Sequence, residues 1–218
     1  MRGKIVLALV FALALAGSAM ADIIDFATGT GTDLGTITFA GGAAPMIGSN
    51  ILIGNVTGLG TPLHNSITDV ITGGALNFIT GSFVSYADGL YTFGPGGSIT
   101  IEGLGPNGSG VGQPLLVGAN VSGTFDNKSG ALDLAVIDGT DYKDLRLLAY
   151  YGLPATVHLH FNGQIGATVV TGGTGGDFTA TSRHTTDIAN ETVPDGGSTL
   201  MLLGLGTAGL ALVRRRFV

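Results

Sequence analysis

Between Asp22 and Asp195 the chain is broken by glycine so often that only short segments separate one break from the next. Of the 39 glycines, two lie before Asp22 and five after Asp195, which leaves 32 in this stretch. They follow no three-residue period of the collagen kind, and at 44% hydrophobic residues the chain is too apolar for disorder. A β protein with many turns is what remains.

The segments between the breaks alternate as half-buried strands do, with large apolar side chains two residues apart. Ile37 and Phe39 fall on one side of their segment, as do Ile99 and Ile101, then Leu132, Leu134 and Val136, then Val157, Leu159 and Phe161. Further candidate strands are 50–56, 76–86, 90–93, 115–125, 145–151, 166–171 and 178–184. Turn signals stand at Gly73-Gly74, Pro95-Gly96-Gly97, Pro106-Asn107-Gly108, Asp138-Gly139 and Asn162-Gly163, the last being the strongest two-residue hairpin signal. Without a helical period to make parallel crossovers, the expected fold is all-β, an antiparallel two-sheet sandwich, with a β-barrel as the alternative. No internal repeat is evident, which argues against a repetitive adhesin array.

The two ends of the chain read differently. Arg2 and Lys4 precede an apolar run from Ile5 to Ala16, and Ala19-Met20-Ala21 places small residues where signal peptidase cuts. Residues 1–21 are therefore expected to be a signal peptide, with cleavage after Ala21. Residues 198–213 form a second apolar run that stops at Arg214-Arg215-Arg216. Sixteen residues of helix reach about 24 Å, just enough for a transmembrane helix if the bilayer thins locally. The arginines hold that end in the cytoplasm and put the body outside.

Val193-Pro194-Asp195-Gly196-Gly197, a leucine- and glycine-rich helix, and then the three arginines resemble the PEP-CTERM class of protein-sorting tails in a Val-Pro-Asp-Gly-Gly form. The resemblance covers 193–218 and leaves the family of the body unassigned. It implies that an exosortase, a membrane-embedded cysteine transpeptidase, cuts near Val193-Pro194-Asp195 and transfers the body to another acceptor. Pro194 disfavours helix before itself and Gly196-Gly197 leaves the backbone open, which suits a cleavable linker. Three segments follow: a signal peptide (1–21), an acidic Gly/Thr-rich body (22–192) and a sorting tail with motif (193–197), helix (198–213) and basic end (214–216).

Charge and composition narrow the chemistry. The body holds four basic residues, Lys128, Lys143, Arg146 and Arg183, against all fifteen acidic ones, so it repels phosphate backbones and nucleic acid is not an expected partner. No cysteine is present, which removes disulfides, thiol catalysis and zinc-thiolate sites. Asp138, Asp141 and Asp144 form the densest acidic cluster and are the candidate calcium ligands, although Lys143 opposes a cation there and the spacing is not that of a helix-loop-helix calcium loop. Apart from that possible calcium, no cofactor is expected. His158 and His160 sit two apart on a predicted strand, a weak metal pair. The glycine-rich stretches lack the Lys-Ser/Thr of a phosphate loop, and there is no Gly-x-Ser-x-Gly. Sequons occur at Asn55, Asn107, Asn120, Asn127 and Asn190, as chance provides in such a composition.

The expected function is non-enzymatic: a structural or adhesive protein of the envelope or extracellular matrix, brought to the surface by its tail. Signal peptidase, exosortase and the membrane are its expected partners, and extracellular polysaccharide is a further one. A carbohydrate- or calcium-binding module is the alternative, with Tyr86, Tyr91, Tyr142, Tyr150 and Tyr151 as the aromatic candidates in a chain without tryptophan. A glycan hydrolase, with no catalytic residue marked by motif, ranks last.

Overall fold

A computed structural model of the chain describes residues 22–28, 35–136, 141–156 and 159–192. The expected signal peptide and sorting tail lie outside the described residues. Among those residues no helix is long and apolar enough to cross a membrane. Asp22–Thr192 forms one compact unit.

That unit is a single antiparallel sheet of twelve strand segments. They are β1 (Ile23–Ala27), β2 (Thr36–Phe39), β3 (Pro45–Leu59), β4 (Thr68–Ala87), β5 (Leu90–Phe93), β6 (Ser98–Leu104), β7 (Leu116–Ala119), β8 (Val121–Asp126), β9 (Ala131–Val136), β10 (Tyr142–Lys143), β11 (Leu159–Gly172) and β12 (Phe178–Thr192). The pairings show that several segments share one rung of the sheet. β1 and β2 both lie between β3 and β12, β5 and β6 both run along β4, and β7 and β8 continue each other, as do β9 and β10. Counted this way, eight rungs follow one another in chain order, each antiparallel to the next. The last, β12, pairs back onto the first, with Ile23 opposite Glu191 and Phe39 opposite Phe178.

The sheet is therefore closed, an up-and-down barrel in place of the expected two-sheet sandwich. Eight strands enclose a space that side chains fill. The inward face carries Ile24, Phe26, Ile51, Ile53, Leu76, Ile99, Phe125 and Leu132, each without measurable exposure. Along β12 the outward positions are Thr179, Thr181, Arg183 and Asp187. Along this strand the outer face is polar, unlike the apolar outer band of a lipid-exposed barrel.

Three further expectations change. Residues 145–151 form a helix, α1 (Leu145–Tyr151), where a strand was expected. Its buried residues Leu147, Leu148 and Tyr151 have helical spacing, Asp144 caps the N-terminus and Gly152, at φ 74°, ends it. Asn162-Gly163 lies inside β11, opposite Ala189 and Ile188, with Gly163 beneath the Phe161 ring. The two-residue turn of that kind is found at Asp88-Gly89, with φ of 52° and 97°, between Ala87 and Leu90. Gly73-Gly74 is a bulge within β4.

Bulges also explain why the alternation is hard to follow along whole rungs. In β3 the inward positions are Met46 and Gly48, then Ile51 and Ile53, then Val56 and Gly58, with register shifts at each change of phase. Asn50, at φ 54°, sits at the first shift, and Asn120, at φ 61°, joins β7 to β8 in the same way.

The rungs make two distinct ends. At one, tight connections at 40–44, 88–89, 127–130 and 173–177 surround an aromatic cluster. Phe39 meets Phe83 and Phe93 at 5.1 Å, and Phe178 meets Tyr91 at 4.9 Å and Phe125 at 4.8 Å. At the other end lie the loops 60–67 and 105–115, α1, and both termini of the unit.

Gly48 faces the Phe78 ring so closely that a Cβ would lie 2.0 Å from it. Gly48→Ala should lower stability by about 1–3 kcal/mol through forced repacking, read as a lower urea midpoint at unchanged slope.

Candidate functional site at the helix-capped end

Sequence features worth testing as a site converge on the end that carries α1. Of the three candidate calcium ligands, Asp138 lies outside the described residues. Asp141 is buried and its two carboxylate oxygens each accept a hydrogen bond from Lys143 Nζ at 2.8 Å. The two residues are two apart on one strand and so face the same way, into the barrel. Burial lowers the Lys143 pKa to about 8 against the opposing pull of Asp141.

Asp144 serves a different purpose. Its Oδ1 accepts from Arg146 N at 2.7 Å as the cap of α1, and its Oδ2 accepts from Gly110 N at 2.7 Å. Burial works against its charge, but these N–H donors outweigh that and hold its carboxyl below the usual range. The carboxylate thus ties the loop 105–115 to the helix start. Among the described residues no group of three or more His, Cys, Asp or Glu is placed to hold a metal.

The helix seats the end of the barrel through its two tyrosines. The Tyr151 hydroxyl lies 3.3 Å from Val56 O and 3.4 Å from Asp69 Oδ2, while Tyr150 donates to Asp69 Oδ1 at 3.2 Å. Burial, and then the Asp69 charge, raises the pKa of both. Gly58 makes room for the Tyr151 ring, since a Cβ there would come within 2.5 Å of it. His64 stacks on Tyr150 at 3.8 Å, with Nδ1 2.8 Å from the Tyr150 carbonyl. His158 lies outside the described residues, and so do the side chains of His160 and His184.

The five tyrosines do not form one exposed face. Tyr91 and Tyr151 are fully buried, Tyr150 is sandwiched between His64 and Asp69, Tyr86 packs on Tyr91 at 4.6 Å, and Tyr142 alone stands largely free at 69% exposure. A cavity of about 500 Å³ opens beside Thr72, Glu102, Leu104, Gly110 and Gln113. Glu102 is the one carboxylate in its lining. Among the sequons, Asn190 is wholly buried and its Nδ2 donates to Ile24 O, so its side chain is not accessible.

One acid pair emerges that sequence reasoning did not find. Asp25 on β1 and Asp187 on β12 lie on adjacent strands near the termini, and burial first, then the hydrogen bond and charge of Asp187, raise the Asp25 pKa to about 6. Only the strand register brings these distant residues together, so no local pattern marks them.

The tail resembles known proteins. The VPDSG-CTERM motif matches residues 192–217, a PEP-CTERM-like sorting tail on an exported, surface-directed protein. Gly196 stands where the motif's serine would be. No curated protein and no solved structure matches the chain.

Two predictions follow from these side chains. Asp141→Ala leaves Lys143 buried without its partner and should cost about 3–5 kcal/mol, whereas Asp141→Leu with Lys143→Met should recover most of that in chemical denaturation. Asp25 binds its proton more tightly in the folded than in the unfolded state, whose carboxyl titrates near 3.8. Its contribution is therefore complete below pH 4 and lost as pH rises through 6. Since Asp25 is only half-buried, the effect should be about 1 kcal/mol. Asp187→Asn should flatten the difference in melting temperature between pH 4 and pH 7.

Proposed function

We propose that the chain is the precursor of an exported, non-enzymatic envelope protein whose barrel is delivered by a C-terminal signal and then separated from it. In this reading residues 1–21 direct export, and residues 198–213 tether the precursor to the cytoplasmic membrane with Arg214-Arg215-Arg216 on the cytoplasmic side. An exosortase then reads Val193-Pro194-Asp195-Gly196-Gly197. The product is the acidic barrel, which acts at the cell surface or in the extracellular matrix in a structural or adhesive role. No metal or other cofactor takes part in this reading.

The observation that carries the proposal is the placement of the motif. The sorting-tail match begins at residue 192, and the compact unit that holds every described strand ends at Thr192. All the described strands precede Val193, so cleavage at 193–195 leaves them in the product. A sorting enzyme needs a substrate segment that reaches its site as extended chain, and Pro194 and Gly196-Gly197 favour that state immediately after the last strand.

Closure also suits life outside the cell. A sealed sheet offers no hydrogen-bonding edge to neighbouring chains. Stability without disulfides has to come from the core, since the chain has no cysteine.

Intact mass of the protein recovered from its native host tests the proposal. A mature chain beginning at Asp22 and ending near Val193 to Asp195 is expected in the surface fraction, and it should vanish when the exosortase is deleted. A chain that retains Arg214-Arg215-Arg216 in both strains would overturn the processing step.

A further inference from the structure

The helix-capped end of the barrel holds out large aliphatic side chains that the fold itself does not need. Leu63 and Ile67 in one loop, Val70 at the start of β4, Leu104 at the end of β6, Val111 in the next loop and Leu145 on α1 are 46–72% exposed. They come from three successive connections around the same rim. Three carboxylates at this end are turned to other work, since Asp69 accepts from Tyr150, Asp141 holds Lys143 and Asp144 caps α1, while Glu102 stays exposed beside Leu104. The opposite end presents Asp88, Asp126, Lys128 and Asp177 at its tight turns. Of the described aliphatic side chains more than 45% exposed, six lie at the end where the unit's chain ends and Val84 lies toward the other.

Chain length says what faces that rim. Thr192 ends β12, paired with Leu159 beside α1, and the apolar run begins at Ser198. Six residue steps span at most roughly 20 Å when fully extended. A headgroup layer occupies about 5–8 Å of each side of a bilayer. A barrel held by so short a leash cannot move far from the lipid, and the end on the leash is the one with the aliphatic rim.

We infer that, in the uncleaved precursor, this rim rests in the headgroup region of a phospholipid bilayer, so that the barrel stands on its helix-capped end with its tight turns pointing away. The inference rests on the membrane tether proposed above. It adds an orientation: the scissile segment is held at the lipid surface, at the depth where a membrane-embedded enzyme works, and cleavage frees the rim. Exposed aliphatic side chains gain burial in the interface.

The absence of tryptophan makes the test direct, since any tryptophan introduced is the only one. Val111→Trp and Leu145→Trp place it on the rim, and Leu90→Trp places it at the opposite end. Each full-length variant, with strand content checked by circular dichroism, is reconstituted into phosphatidylcholine vesicles with acyl chains brominated near the headgroup. The rim tryptophans should shift to shorter wavelength and lose most of their emission to bromine, while position 90 keeps its own.

Protein that floats with the vesicles while its rim tryptophans are quenched no more than position 90 would overturn the inference and leave the tether standing. A blue shift without bromine quenching would mean that the rim is covered by protein, such as a second copy, and would overturn it equally. Failure to float at all would overturn the tether and the orientation together.

Discussion

Everything else in the body depends on β1 lying between β3 and β12. Five residues, Ile23–Ala27, hydrogen-bond on both sides and join the last rung to the second, with β2 completing the same rung farther along. Ile24 and Phe26 are fully buried by this arrangement, and burial of each side chain is worth about 1.5–3 kcal/mol. More than that burial is at stake. Without the first rung, β3 and β12 would each present an open edge and the aromatic and aliphatic interior would be exposed along one side.

Closure sets the relation between ends. An even number of antiparallel rungs returns the chain to the end where it began, so Asp22 and Thr192 leave from the same rim. The long connections collect there as well, and α1 fills the space they leave, held by Asp144 at its start and by Tyr151 against Val56. The buried Lys143–Asp141 pair belongs to this end too. Such a pair adds little net stability compared with an apolar replacement, but it ties β10 into the interior. The opposite end is simpler, four tight turns over packed rings.

The sequence made the class of the body legible because period-two alternation survives within each short run: Ile99 and Ile101, or Leu132, Leu134 and Val136, point inward as expected. It did not reveal closure, because a sandwich and a barrel use the same alternation and differ only in whether β12 finds β1, more than 160 residues away. Asn50 and Asn120 look like ordinary polar residues, yet their positive φ marks the places where the inward phase changes. Residues 145–151 read as a strand because their apolar positions are dense enough to satisfy either period, and the Asp144 and Gly152 caps were the signal that decides it. The work of the acidic residues was not legible, because proximity in sequence does not say that Asp141 faces Lys143 inside the barrel while Asp144 caps a helix. The sorting tail was the most legible part, since its order of motif, apolar run and basic end lies in contiguous sequence.

A barrel finished before its sorting motif begins is the central claim, and amide hydrogen exchange on Asp22–Thr192 tests it most directly. The account predicts that amides of Ile23–Ala27 and Asp187–Glu191 exchange as slowly as those in the middle of β8 and β9, since all are internal to one closed sheet. Exchange in both segments at the rate of the loops, with the remaining strands still protected, would show that the sheet is open at this rung and would contradict the account.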